Sequence, residues 1–305
     1  MSSMANDDDL VVGFLGFGVA GSSFASDLNT TGVTVFAYDN ALADETYGCV
    51  LRERASKAHV DLVSSPRQLA RVCDTIVSTV ATSASVEAAT SIAPFLTHAH
   101  LYVDMNSSSP ERKRQISRVV GDSGARFVDA AVMGEATQGI RVRILVCGDG
   151  AAEFSRRMSK YGMNIQPVDA PAGGAAAIKM VRSIFAKGVE ALLLETLVAA
   201  HRGGLLGPVI DSLAETMDSR PFVELLNSFV TSDAIHAQRR ANEMDQVVAT
   251  LQELGVRYTM SEATKSTLEW SAGLSLKEHF NFEAPKDYLQ VLEWIRARQE
   301  RHTEK

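Results

Sequence analysis

The sequence is short of the residues that staple or metallate a fold. Its 305 residues include three cysteines, Cys49, Cys73 and Cys147. Their odd number and wide spacing, with no CxxC pair, argue against a disulfide framework or a zinc site and fit free thiols in a reducing compartment. The seven histidines are scattered and form no HExxH motif. His98 and His100 lie close together, in what reads as a surface loop rather than a metal site. Long apolar runs are missing as well. Even the greasy stretch 189–200 carries Glu190 and Glu195, so no transmembrane span is expected. Residues 1–9 end in Asp7-Asp8-Asp9 and lack the basic flank and apolar core of a signal peptide; a flexible N-terminus and a cytoplasmic location are expected. Positive charge is in deficit, with 30 Lys and Arg against 37 Asp and Glu, a net charge of −7. Nucleic acid is therefore not the expected main partner, because phosphate binding needs a basic face. A local basic pocket for a small anionic molecule is compatible with that balance.

What is present is an ordinary globular composition, 46% hydrophobic and 22% charged. The first half alternates short apolar runs with helical stretches. Strands are expected at 10–15, 34–38, 60–63, 75–80, 101–105, 126–129 and 143–146, with helices at 21–30, 86–95 and 110–120. This alternation predicts a parallel sheet with both faces covered. Pro66 and Pro110 stand where first helical turns would begin. After Pro171 the pattern changes. Gly173-Gly174 opens a helical stretch to about 201, closed by Gly203-Gly204, and further helices are expected at 208–217, 221–229, 233–254, 261–271 and from 285 to near the end. Gly255 reads as a C-terminal helix cap. The expected division is a flexible 1–9, a nucleotide-binding 10–170 and an all-helical 171–305. The 179–200 helix is apolar almost all round, which predicts burial between domains or subunits.

The most specific local signal is strand, then Gly16-Phe17-Gly18-Val19-Ala20-Gly21, then helix. In GxGxxG the first glycine allows the tight turn, the second lets backbone approach a pyrophosphate, and the third lets the helix pack on the strand, with the helix N-terminus facing phosphate charge. Asp39 ends the second strand 18 residues after Gly21. A carboxylate there binds both ribose hydroxyls of NAD and repels the 2′-phosphate of NADP, so NAD is the expected cofactor. Val80 and Ala81, where the 75–80 strand ends, complete the expected cofactor contacts, with Asn106 beyond the next strand.

Four segments in order carry a resemblance to the β-hydroxyacid dehydrogenase superfamily, which includes 3-hydroxyisobutyrate and 6-phosphogluconate dehydrogenases. They are the glycine fingerprint from Gly13, Asp104-Met105-Asn106-Ser107-Ser108-Ser109-Pro110, Phe127-Val128-Asp129-Ala130-Ala131-Val132-Met133-Gly134-Glu135, and Gly174-Ala175-Ala176-Ala177-Ile178-Lys179-Met180-Val181-Arg182-Ser183. The chain looks like a side branch often labelled phosphogluconate dehydrogenase, a label that does not assign the substrate. The resemblance implies an α/β, Rossmann-type doubly wound parallel sheet, followed by an all-α C-terminal domain joined by a long inter-domain helix. It implies a homodimer or higher homo-oligomer, in which a partner often completes the cleft. It also implies hydride transfer between nicotinamide and a hydroxyl-bearing carbon, with Lys179 in the place of the catalytic lysine.

The residues around Lys179 suit that chemistry. A lysine serves as acid and base when burial and neighbouring cations lower its pKa. Arg182 and Ser183 lie three and four residues on and share its helix face. Arg182 is expected to hold a substrate carboxylate or depress the lysine, and Ser183 to hydrogen-bond the substrate. Asn106 and Ser107 follow a strand's C-terminal end, where ligands bind, although the same residues also suit a turn capping the helix at Pro110. Departures from the family pattern concern specificity. Met133-Gly134-Glu135 replaces serine-glycine-glycine, Ser183 replaces asparagine, and Ala186 stands where a second acid, glutamate, occurs in 6-phosphogluconate dehydrogenases. Asn242-Glu243 replaces a lysine–aspartate pair, and Arg239 and Arg240 just before it are alternative anion ligands. Glu190 is expected to pair with Lys187 or to line the site. An imine reductase on the same scaffold and a non-catalytic NAD-binding module remain as competing readings.

Overall fold

The computed structural model describes residues 10–303; the N-terminal stretch 1–9, expected to be flexible, lies outside them. The chain falls into two compact units, one ending at Ile184 and one beginning at Phe185. The first is built on an eight-stranded sheet in the order β3-β2-β1-β4-β5-β6-β7-β8. Its strands are β1 Val11–Leu15, β2 Thr34–Tyr38, β3 Asp61–Leu62, β4 Thr75–Ser78, β5 Leu101–Asp104, β6 Arg126–Val132, β7 Ile144–Cys147 and β8 Ile165–Pro167. All neighbours are parallel except β6 and β7. The central strands read as unbroken apolar runs because both faces are covered. Phe14 and Val103 join one core cluster, with Phe24, Leu28 and Phe154. Leu15 and Tyr102, one residue out of phase, join the other, with Leu69, Ile92, Ile116 and Phe127. Strand order reverses between β1 and β4, and that switch point opens a crevice beyond the strands' C-terminal ends.

The covering helices are α1 Val19–Thr30, α2 Glu45–Ala58, α3 Pro66–Val72, α4 Ser85–Ile92, α5 Pro110–Gly121 and α6 Ala151–Met158. Pro66 and Pro110 open α3 and α5, with Ser65 and Ser109 as N-caps whose hydroxyls accept from Gln68 and Arg112 amides. The expected doubly wound parallel sheet is present, with one antiparallel pair at β7. Residues between β6 and β7 form only the short 3₁₀ turn Ala136–Arg141, too short for a crossover, so β7 returns antiparallel. Asp27 on α1 holds this turn by accepting the Ile140 amide.

α7 runs unbroken over 29 residues, Gly174–Arg202, and the divide between the units falls inside it, leaving Lys179, Arg182 and Ser183 in the first. The second unit is helical: the rest of α7, α8 Leu206–Met217, α9 Phe222–Glu253, α10 Thr259–Ala272, α11 Leu276–His279 and α12 Tyr288–Thr303. The two helices expected at 221–229 and 233–254 are one, α9. Residues 230–232 continue the helix, and Thr231 donates its hydroxyl to the Asn227 carbonyl within it. Gly255, with φ +63°, ends α9 as expected. Glu195, on α7, accepts from the Met260 and Ser261 amides and the Ser261 hydroxyl, which caps α10. Glu190 pairs with Lys187 at 3.2 Å on the surface. The apolar surface of α7 is less covered than the pattern suggests: Ile184, Phe185 and Leu194 are 75%, 54% and 68% exposed in the single chain. Among the described residues no helix is long and apolar enough to cross a membrane.

Candidate active site

The glycine loop is shaped by close approach. Gly16 turns the chain out of β1 at φ +92°, and a Cβ there would stand 2.7 Å from Val80 Cγ1 and 2.9 Å from the Thr79 backbone. Gly21 lies in α1, where a Cβ would meet Thr79 Oγ1 at 2.6 Å and the Gly16 oxygen at 2.7 Å. Thr79 completes the contact by donating to the Gly16 carbonyl. Gly18 is different: nothing stands within 4 Å of its would-be Cβ, so the space above it is open. It is the N-cap of α1, which has no side-chain cap and no acid in its first turn. Its first amides are therefore free to serve an anion. Replacing Gly16 by alanine is expected to lower the melting temperature and abolish measurable nicotinamide-dinucleotide binding in a fluorescence titration. Both the left-handed backbone and the Val80–Thr79 contact oppose a methyl there.

Asp39 follows β2 and is bound at both oxygens. Oδ2 accepts from the Phe17 amide at 2.8 Å and Oδ1 from the Ala41 amide at 2.9 Å. Its carboxylate is thus locked beside the glycine loop. Arg54 of α2 donates to the Phe17 carbonyl, a support that sequence reasoning missed. The Phe17 ring is fully buried in the core, so only its backbone faces the loop, whereas Val19 is exposed at the start of α1. A cavity of about 600 Å³ is lined by Gly16, Gly18, Asp39, Thr79, Val80 and Ala81, and extends to Pro66 and Glu87. An open amide-rich turn, a fixed carboxylate and a cavity of this size at the switch point fit a dinucleotide.

The next two strands, β5 and β6, deliver their following residues to the same sheet edge. Asn106 is buried and donates to Ser78 Oγ at 3.0 Å; its backbone amide is held by Asp104 Oδ1. Ser107 turns outward and accepts from Lys179 Nζ at 2.7 Å. The Ser107 carbonyl accepts from Thr82, whose own carbonyl accepts from Arg112. Lys179 is half-buried on the second turn of α7. Burial, then the charge of Lys113, then that of Arg182, hold its ammonium below the ordinary lysine range. Ser183 spends its hydroxyl proton on the Lys179 carbonyl at 2.8 Å; its oxygen can still accept. Met133, Gly134 and Glu135 directly follow β6, Met133 partly buried and Glu135 exposed. Arg240 lies in the second unit, where it donates to Ser232, and Arg239 pairs with Glu243.

The residue that sequence reasoning missed is Lys113. It is 1% exposed, with its ammonium 3.2 Å from Asp129 and 3.4 Å from Asp104, both fully buried. The signal was present: Lys113 falls on the apolar stripe of α5 with Ile116 and Val120. Asp104 and Asp129 each sit in an otherwise apolar strand, and a carboxylate there needs a partner. Burial pushes the Asp104 carboxyl up, and Lys113 opposes that rise.

Comparison with known proteins agrees with this geometry. Residues 200–271 match a family described as a domain of unknown function, DUF1932. A protein of Methanothermus fervidus described as an uncharacterized 28.5 kDa protein is 26% identical over 84% of this chain and 96% of its own length. The 2-(hydroxymethyl)glutarate dehydrogenase of Eubacterium barkeri is 26% identical over 65% of this chain and 66% of that protein. Among solved structures, a conserved protein described as structurally similar to 3-hydroxyacid dehydrogenases shares 35% identity over 88% of this chain and 97% of its own, with a TM-score of 0.59. An imine reductase from Pseudomonas sp. matches at a TM-score of 0.71 but 17% identity, covering 94% and 99% of the two chains, a likeness of fold. Residues 11–168, from β1 to the end of β8, match the NAD-binding domain of 6-phosphogluconate dehydrogenase, and the chain belongs to that family, within the 3-hydroxyacid dehydrogenase-like superfamily.

Proposed function

We propose that the protein is a dehydrogenase that moves hydride between NAD and the hydroxyl-bearing carbon of a small 3-hydroxy acid or related oxo acid, with Lys179 as acid and base. The observation that carries this reading is the Lys179–Ser107 pair at 2.7 Å, set at the sheet edge where the glycine loop also lies. When bound, the nicotinamide supplies the hydride acceptor. In oxidation, the neutral amine of Lys179 takes the hydroxyl proton as hydride leaves the carbon; in reduction, the ammonium returns it. Ser107 holds the amine in place and Asn106 stiffens the loop behind it. Arg182, exposed on the same helix face, suits the substrate's carboxylate. The sign of the pH dependence follows from the lowered lysine pKa. Oxidation speeds up as Lys179 loses its proton, reduction slows, and both midpoints lie below the ordinary lysine range. The name of the Eubacterium barkeri relative, a dehydrogenase of a hydroxymethyl dicarboxylic acid, supports the substrate class.

The test is the near-ultraviolet absorbance of reduced nicotinamide, followed with NAD or NADP and a panel of 3-hydroxy acids, sugar acids and cyclic imines. Turnover of a hydroxy acid with NAD bears the proposal out. Imine reduction alone replaces it with the imine reductase reading, which Met133, in place of a hydroxyl-bearing residue, favours. Cofactor binding without any turnover leaves a binding module. Asp39 carries the preference for NAD. Asp39→Asn keeps its shape and removes its charge, and is expected to lower the NAD-to-NADP ratio of kcat/KM by about tenfold or more, the weight of a charged hydrogen bond. An unchanged ratio removes Asp39 from that role.

A homodimer belongs to the same proposal. α8 buries none of its residues, and Leu206, Ile210, Leu213 and Met217 recur at helical spacing with 36–46% exposure. With the exposed apolar side chains of α7, they suit a second copy of the chain.

A further inference from the structure

The loop that carries Ser107 and the helix that carries Lys179 are both anchored to one buried ammonium. Lys113 Nζ donates to the Asp104 carbonyl at 2.6 Å, where the loop leaves β5. Asp104 turns Oδ2 to Lys113 and Oδ1 to the Asn106 amide. Asp129 turns Oδ1 to Lys113, while its Oδ2 accepts from the Gly173 and Ala176 amides, both at 3.1 Å. Those amides belong to the start of α7, one to two turns before Lys179. Each carboxylate therefore binds the lysine with one oxygen and a segment of the site with the other. Apolar side chains at all three positions would pack without desolvating any charge, so stability alone does not call for this buried trio.

We propose that Lys113 is a positioning residue for the proposed reaction, a fixed buried charge that joins the substrate loop to α7 and acts through them on Lys179. This rests on Lys179 as the acid and base. The cations facing Lys179 are Lys113 from α5 and Arg182 from its own helix. The carboxylates of Asp104 on β5 and Asp129 on β6 are turned to Lys113. Removing the Lys113 charge therefore strips Lys179 of a repelling neighbour, a change that favours its ammonium form.

The experiment needs no substrate. The intact protein is labelled with trace acetic anhydride across a pH series, and the modified fraction of Lys179 is read by peptide mass spectrometry. In Lys113→Met the midpoint is expected to rise by about one pH unit, a tenfold fall in the neutral amine, the size of a partly screened repulsion between two unit charges. Lys113→Arg keeps the charge and is expected to hold the midpoint near wild type. If Lys113→Met fails to fold, the double variant Lys113→Met/Asp129→Asn decides, since it leaves no carboxylate at 129 without a partner; the midpoint is again expected to rise. An unchanged midpoint in whichever of these folds overturns the inference and leaves the role of Lys179 standing. A wild-type midpoint in the ordinary lysine range overturns both.

Discussion

Lys179→Ala is expected to lower kcat/KM for the true substrate by about 10²–10⁴-fold, the usual contribution of a positioned acid–base group. Cofactor affinity should be unchanged, because the glycine loop, Asp39 and the cavity above them contain no contact with Lys179. The loss should fall on kcat more than on KM, since the amine accepts charge only as the proton moves. Lys179→Arg is the sharper variant. It keeps a cation opposite Ser107 but cannot give up a proton near neutrality, so it should be nearly as inactive as the alanine. Steady-state kinetics beside a cofactor titration distinguishes the possibilities. Full activity in Lys179→Ala would remove the lysine from the chemistry and with it the proposed mechanism.

Asp129→Ala should cost about 3–5 kcal/mol of stability, the usual penalty for breaking a buried ion pair by removing one partner. The carboxylate is fully buried and serves two structures at once. One oxygen neutralises Lys113; the other accepts from Gly173 and Ala176, amides that have no helical partner at the start of α7. Alanine leaves the Lys113 ammonium short of a counter-charge and the α7 start without its cap. Urea unfolding should show a lower midpoint for the first unit, and Asp129→Asn, which retains an acceptor for the amides, should be less severe. A loss under about 1 kcal/mol, the range of ordinary substitutions, would show that water or rearrangement compensates.

Much of the site was legible because its logic is local. Gly16, Gly18 and Gly21 announce a turn with an open floor, and Asp39 stands one strand away. Lys179, Arg182 and Ser183 share a helix face. The pairing of Ser107 with Lys179 was legible only as two separate motifs, and the contact itself needed the fold. Lys113 was hidden because helical periodicity treats a charged residue as solvent-facing, while its two partners lie on strands 9 and 16 residues away. Met133–Glu135 was visible as a departure, but its effect on a ligand depends on side-chain placement that no pattern supplies. In the fold, alternation identified the sheet yet missed α2, α6 and the short β8. The antiparallel β7 could not be foreseen, because strand direction depends on what fills the connection, and residues 133–142 carry neither a helical nor a hairpin signal. The continuity of α9 through 230–232 is not legible locally, because it depends on tertiary packing along a 32-residue helix.

The buried trio also constrains how this sequence can vary. Asp104, Lys113 and Asp129 sit on three different elements, yet no one of them can change independently: loss of either carboxylate removes counter-charge from the ammonium, and loss of the lysine leaves two acids unpaired in the core. Positions joined in this way show strong non-additivity. A lineage that abandons the trio must pass through a poorly folded intermediate or replace the members together, so descendants should carry all three or none. Surface charges such as the Lys187–Glu190 pair face no such barrier and are free to drift one at a time.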